Sequence, residues 1–219
     1  MQFFVDSVPG PISPREELQI ECAKIAKLMR HNRQSAIAMA RRHAFIALGS
    51  NENSAWGSPR RTLIIAVRNL KTIGLHVKAV SDFYTTNPVG GGRQRPYCNA
   101  VVQVKLTVGL ATLLRLLKRL ERAAGRRLGR HWGPRPLDLD ILDAGVIIGR
   151  HARGRRYTGR LILPHPEMHR RAFVLVPLAE IAPHWRHPCL DRSVQSLLQD
   201  RQVRIQTRGV RRVTSGSRS

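Results

Sequence analysis

Acidic residues are scarce. Fourteen Asp and Glu stand against 38 Lys and Arg in 219 residues, a formal net charge of +24. That balance favours anionic partners: nucleotides, nucleic acid or an anionic membrane surface. The excess is not a property of the ends alone, since residues 1–44 carry +3, 45–190 carry +16 and 191–219 carry +5. The bland alternative is an arginine-rich coding bias without function. Cysteine is also rare. Cys22, Cys98 and Cys189 are far apart and form no C-x-x-C pair. This argues against a disulfide framework and a zinc site, and fits a reducing, cytoplasmic compartment. No run approaches the roughly 18 apolar residues of a membrane span. Met1 to Val8 lacks the basic stretch and apolar core of a secretory signal. No internal repeat is present. No G-x-x-x-x-G-K-[ST] occurs, so a nucleotide, if bound, is held without a P-loop.

What is present is enough for a core: 42% of the residues are hydrophobic. The length suits one domain with appendages. Residues 1–42 read as a helical N-terminal extension, with Ser13-Pro14-Arg15-Glu16 resembling a capping box and Leu18, Cys22, Ile25 and Met29 at helical spacing. A domain over 43–190 follows. Ala44–Leu48 predicts a strand, 58–73 a helix closed by Gly74, and Val77–Thr85 a strand. Asn99–Leu106 alternates as a strand, and 109–124 carries the apolar helical stripe Leu110, Leu113, Leu114, Leu117 and Leu120. A last strand starts at Asp138 and runs to about Ile148. The order strand, helix, strand, strand, helix, strand is that of an α+β, ferredoxin-like βαββαβ sandwich with a mainly antiparallel sheet. Its second face is left to loops or binding. Residues 149–160 form a basic connector, Pro166–Arg171 suggests one helical turn, and Phe173–Ile181 is a buried run broken by Pro177. Residues 191–219 read as a basic, partly disordered tail, with one helix-like piece from about Ser193 (Val194, Leu197, Leu198) and disorder over 207–219.

The chemistry concentrates at Gly133–Leu142. Asp138 and Asp140 alternate with Leu137, Leu139 and Ile141, so both carboxylates leave one face of one strand. Their Cα atoms then lie roughly 6.5–7 Å apart, a spacing that suits Mg²⁺ carrying a polyphosphate. Arg126, Arg130, Arg135, Arg160 and Arg171 are candidate phosphate forks. His165, between two prolines, is a candidate phosphate donor. Tyr97 and Phe173 could stack on a planar ligand, and Asn99 could read its polar edge. For each of these the plain alternative is a solvated charge or a packed side chain.

Taken together, several segments resemble the 6-hydroxymethyl-7,8-dihydropterin pyrophosphokinase family of folate biosynthesis. They include Ala47–Asn51, Phe83–Gly90, Tyr97–Val101, Trp132–Ile141, Leu163–Pro166, Arg171–Leu175 and Pro177–Pro183. The resemblance spans 44–188 and implies transfer of pyrophosphate from Mg-ATP to the pterin hydroxymethyl group, with release of AMP. By position it implies that Asp138 and Asp140 bind two Mg²⁺ ions. Glu121, Trp132, Arg135, Ile141, Arg160, His165 and Arg171 would line the ATP site, and Thr86, Asn87, Val89, Tyr97, Asn99 and Phe173 the pterin site. Arg126 and Arg135 would join the two Asp residues in catalysis. Leu128 and His131 stand where members often carry Arg. The implied partners are the pterin and ATP, with no membrane and a monomer or weak dimer. Non-specific nucleic-acid binding is the second reading; Asp138 and Asp140 speak against it, because without metal they would repel phosphate.

Overall fold

Strand β1 (His43–Ser50) is the middle of the sheet because both its faces can be buried. Ala44, Ile46 and Leu48 point one way, and Phe45, Ala47 and Gly49 point the other. The computed structural model describes residues 43–88, 95–126, 135–146, 148 and 161–213. The expected N-terminal helices, the connector 149–160 and residues 214–219 lie outside them. β1 pairs with β4 (Tyr97–Lys105) on one side and β5 (Asp138–Asp143) on the other. β2 (His76–Val80) and β3 (Tyr84–Thr86) follow each other along the far edge of β4, and β8 (Arg211–Arg212) adds to β3. β6 (Arg186–His187) and β7 (Arg192–Ser193) form a separate two-stranded sheet, and every strand pairing among the described residues is antiparallel.

Helices α1 (Pro59–Thr72) and α2 (Leu110–Ala123) cover the Ala44–Ile46–Leu48 face. Pro59 sits in the first turn of α1, where its missing N–H costs nothing, and Gly74 at φ +85° stops the chain beyond it. The α2 stripe Leu113, Leu117 and Leu120 is fully buried against Leu139 and Ile141 of β5. The architecture is the expected ferredoxin-like sandwich.

Four local features differ from the sequence expectation. The strand expected over Val77–Thr85 is two strands. At the break, Ser81 replaces part of the ladder: its N–H donates to Val101 O (2.9 Å) and its Oγ accepts from Val101 N (2.9 Å). β5 ends at Asp143 and not near Ile148. There the Asp143 carboxylate accepts from Gly145 N (3.0 Å) and Gly145 takes φ +66°. The second face is not left to loops. A 3₁₀ turn (Met168–Arg170) leads into α3 (Ala172–Ile181), which runs through Pro177. Together with α4 (Val194–Leu198) and α5 (Arg201–Thr207), α3 buries Val174, Leu175, Leu178, Val194, Leu197 and Val203 against Phe45, Val101 and Leu142. Finally, the disorder expected from about residue 207 does not extend to Arg211–Arg212, which pair with Thr85 and Tyr84.

The packing predicts that Leu120→Ala, at a position with no exposure, lowers unfolding free energy by about 2–5 kcal/mol. Ile205→Ala, at 60% exposure, should change it by less than about 0.5 kcal/mol. Denaturant titration of both variants checks this.

The Tyr84 phenol donates to Glu180 (2.9 Å). Burial, then the bond to Glu180 and its charge, push the phenol up to about 12. An unfolded tyrosine ionises near pH 10. The contact therefore contributes fully below pH 10 and is lost as pH rises through 12. Stability measured from pH 9 to 12 should fall less steeply in Tyr84→Phe than in the wild type.

Candidate active site

The site is built on the α3 face of the sheet, where one missing side chain opens a floor. Gly49 of β1 pairs with Asn99 of β4 on one side and with Asp138 of β5 on the other. Cross-strand partners share a face, so Asn99, Gly49 and Asp138 stand in a row across three strands. A Cβ at position 49 would meet Asn99 Oδ1 at 3.3 Å. Glycine keeps open the space between an amide that can read a ligand edge and a carboxylate that can hold cations. Asn99, itself buried, donates through Nδ2 to Thr86 Oγ1 (2.8 Å), which ties β4 to the end of β3. Tyr97 pairs with Thr86 and is half-buried; Asn87 is exposed.

Charge converges on Asp138. Arg126 Nη1 is 2.6 Å from Asp138 Oδ1 and Arg135 Nη1 is 2.6 Å from Oδ2. Burial alone would push this carboxyl up, but Arg135, Arg126 and Lys118 together outweigh it and hold it below the usual carboxylate value. Arg126 also reaches Glu121 Oε2 at 2.7 Å. Glu121 is buried at the end of α2, where it accepts from Lys118 Nζ (2.7 Å) and from Leu139 N of β5 (2.8 Å). Arg135 is fixed from behind: Asn51 Oδ1 accepts from Arg135 N (2.8 Å), and Asn51 N donates to Arg135 O (3.2 Å). Ser50 Oγ adds a bond to Pro136 O (2.7 Å).

Asp140 is the more open carboxylate, with a side chain 38% exposed and His165 Nε2 at 4.0 Å. Burial, with help from Arg171, pulls the His165 pKa below its usual value. Its Nδ1 accepts from Glu167 N (3.2 Å), so the neutral ring carries its proton on Nε2 and presents a donor toward the carboxylate. Asp140, Ile141, His165 and Arg171 line a cleft of about 430 Å³ together with Leu114 and Lys118. Arg171 also lies over the Phe173 ring, 5.7 Å from its centre. The structure thus gathers Glu121, Arg126, Arg135, Asp138, Asp140, Ile141, His165 and Arg171 around one strand. Val89, Trp132 and Arg160 lie outside the described residues. Lys118 and Asn51 were missed as individual site residues. The only sequence signal for Lys118 is its i,i+3 spacing to Glu121; for Asn51 it is the turn after β1.

Residues 45–183 match the family model described as 7,8-dihydro-6-hydroxymethylpterin-pyrophosphokinase. The chain belongs to this family. It is 40% identical over 140 residues to the 2-amino-4-hydroxy-6-hydroxymethyldihydropteridine pyrophosphokinase of Haemophilus influenzae, covering 64% of this chain and 81% of that protein. To the protein of the same name from Bacillus subtilis it is 38% identical over 138 residues, 63% of this chain and 77% of the relative. Among solved structures it is similar to Plasmodium falciparum HPPK-DHPS with pteroate, at a TM-score of 0.56 and 13% identity, over 78% of this chain and 46% of that one. At that identity the likeness bears on fold alone, and the fold agrees. The pyrophosphokinase-family match ends near the C-terminus of α3, so α4, α5 and β8 lie beyond it.

Removing the Glu121 carboxylate would leave Lys118, Arg126 and Leu139 N short of an acceptor. Glu121→Ala is expected to cost about 1–3 kcal/mol of stability. Glu121→Gln, which keeps an acceptor for Leu139 N, should cost less. Chemical denaturation of the pair checks the order; equal costs would contradict it.

Proposed function

We propose that Asp138 and Asp140 are the metal-holding and catalytic centre of a transfer of pyrophosphate from ATP to 6-hydroxymethyl-7,8-dihydropterin, a step of folate biosynthesis. The observation that carries this is the convergence of two same-face carboxylates with Arg126, Arg135 and Lys118 beside one cleft. In the reaction the pterin hydroxymethyl oxygen attacks the β phosphorus of ATP. The bond from that phosphorus to the α-phosphate bridging oxygen breaks, AMP leaves, and the hydroxyl proton is lost to solvent or phosphate. Little covalent chemistry is asked of the protein. Positioning and charge compensation carry the step.

The donor set fits Mg²⁺. It is a hard cation that takes one or two carboxylates and completes its shell with phosphate oxygens and water. Asp138 and Asp140 offer two partly exposed carboxylates, 21% and 38%, with only oxygen donors. They would hold two ions, whose chemistry when bound is to neutralise polyphosphate charge and polarise its oxygens. Arg126 and Arg135, which balance Asp138 in the structure, are about a third exposed, 28% and 33%, and would turn to phosphate oxygens when these enter. His165 would donate from Nε2, and Arg171 would supply a further fork. Glu121, Trp132, Ile141 and Arg160 complete our reading of the ATP side. On the pterin side, Tyr97 and Phe173 stack on the ring, and Thr86, Asn87, Val89 and Asn99 read its edge. The scattered cysteines support a reducing, cytoplasmic setting, and we read the protein as a monomer or weak dimer.

Asp138→Asn and Asp140→Asn keep size and remove charge. Each is expected to lower pterin-dependent AMP release at least about 100-fold. Pterin binding, followed by its fluorescence, should stay within a few-fold. Chelating Mg²⁺ should abolish turnover in the wild type. Near-wild-type turnover in either Asn variant would overturn the assignment.

A further inference from the structure

Beyond the residues that face the substrates, the geometry points to Glu180 as a positioning residue. We infer that Glu180 clasps the end of α3 to the segment leading into β3 and so sets the width of the pterin slot. This rests on the reading of Tyr97 and Phe173 as the two walls of that slot. Glu180 lies 98 residues from Asp82 and 96 from Tyr84, yet its carboxylate meets both. Asp82 N donates to Oε1 (3.0 Å) and Oε2 (3.1 Å), and Tyr84 Oη donates to Oε2 (2.9 Å). One carboxylate thereby spans the chain on both sides of Phe83.

The clasp closes a ring of elements. Phe173 and Glu180 are seven residues apart on α3, so they share one side of the helix, roughly 10 Å apart along its axis. From Glu180 the ring passes to Tyr84, then along β3 to Thr86, and across the ladder to Tyr97. The walls Phe173 and Tyr97 are thus joined through Glu180 as well as through the packed core. β3 needs such a fixture. It is three residues long, and its outer neighbour β8 pairs with it only at Tyr84 and Thr85. The same spot is tightened from β8: Arg212 pairs with the Asp82 carboxylate, and Val213 N donates to Phe83 O (2.8 Å). These last contacts come from residues beyond the family match. Burial and Glu180 hold the Tyr84 phenol protonated well past neutrality, so the donor persists at every working pH.

Glu180 is exposed and touches no proposed substrate residue. Its loss should therefore move pterin recognition and leave ATP recognition alone. Steady-state kinetics of Glu180→Ala, Glu180→Gln and Tyr84→Phe test this. Glu180→Ala should raise the pterin KM roughly 5–20-fold, as expected for a small misplacement of a binding wall. The KM for ATP should stay within about twofold and kcat within about threefold. Glu180→Gln, which keeps a carbonyl acceptor, should recover most of the loss, and Tyr84→Phe should show a smaller rise than Glu180→Ala. A purely structural role would lower the active fraction, and so kcat, without a selective change in pterin KM. That pattern, or an unchanged pterin KM, overturns the clasp. Wild-type protein that releases no AMP with pterin overturns the pyrophosphokinase reading and the clasp with it.

Discussion

One carboxylate shared by two guanidiniums holds fold and site together. Asp138 lies on the outer strand of the sheet, and Arg126 and Arg135 approach its two oxygens from either side. Each arginine is anchored to a different part of the frame. Arg126 follows α2 and is held by Glu121, which itself anchors β5 through Leu139 N. Arg135 is stapled to the turn after β1 by Asn51. The charged centre is therefore an extension of the backbone ladder, and its desolvation cost is offset because every oxygen of Asp138 and Glu121 has a cationic or N–H partner. A site so balanced can exchange arginine for metal and phosphate without rebuilding its frame.

The second constraint is steric. The row Asn99, Gly49, Asp138 is open at its middle, where a Cβ would crowd Asn99 Oδ1 at 3.3 Å. This places the amide that would read the pterin and the carboxylate that would hold the ions on one floor, two strand spacings apart, roughly 10 Å. Substrate and polyphosphate can then meet over Gly49. The helix above this floor, α3, carries Phe173, which we propose as a pterin wall, and is pinned to the sheet by its apolar face and by Glu180.

Much of this was legible in sequence. The alternation around Asp138 and Asp140 fixed their common face, because period two leaves no other choice. The leucine stripe of α2 announced its buried side. What sequence could not carry were contacts between residues far apart. Nothing local marks Glu180 as the partner of Tyr84, or Asn51 as the staple of Arg135. Lys118 looked like any solvated lysine on an amphipathic helix, although it donates to both Glu121 and Leu139 O. Pro177 was read as an interruption, yet α3 continues through it, because burial of Val174, Leu175 and Leu178 outweighs one lost hydrogen bond. Arg211 and Arg212 looked like tail because two exposed arginines carry no pattern; they are ordered by a strand edge that only the fold creates.

On our proposal, this floor brings the pterin oxygen to the β phosphorus of ATP. The most direct test follows the phosphorus atoms. A ³¹P spectrum of ATP, Mg²⁺, 6-hydroxymethyl-7,8-dihydropterin and the protein should show AMP and a pterin diphosphate growing one for one, with neither forming when the pterin is left out. Formation of ADP with a pterin monophosphate, or of AMP that does not depend on pterin, would contradict the account.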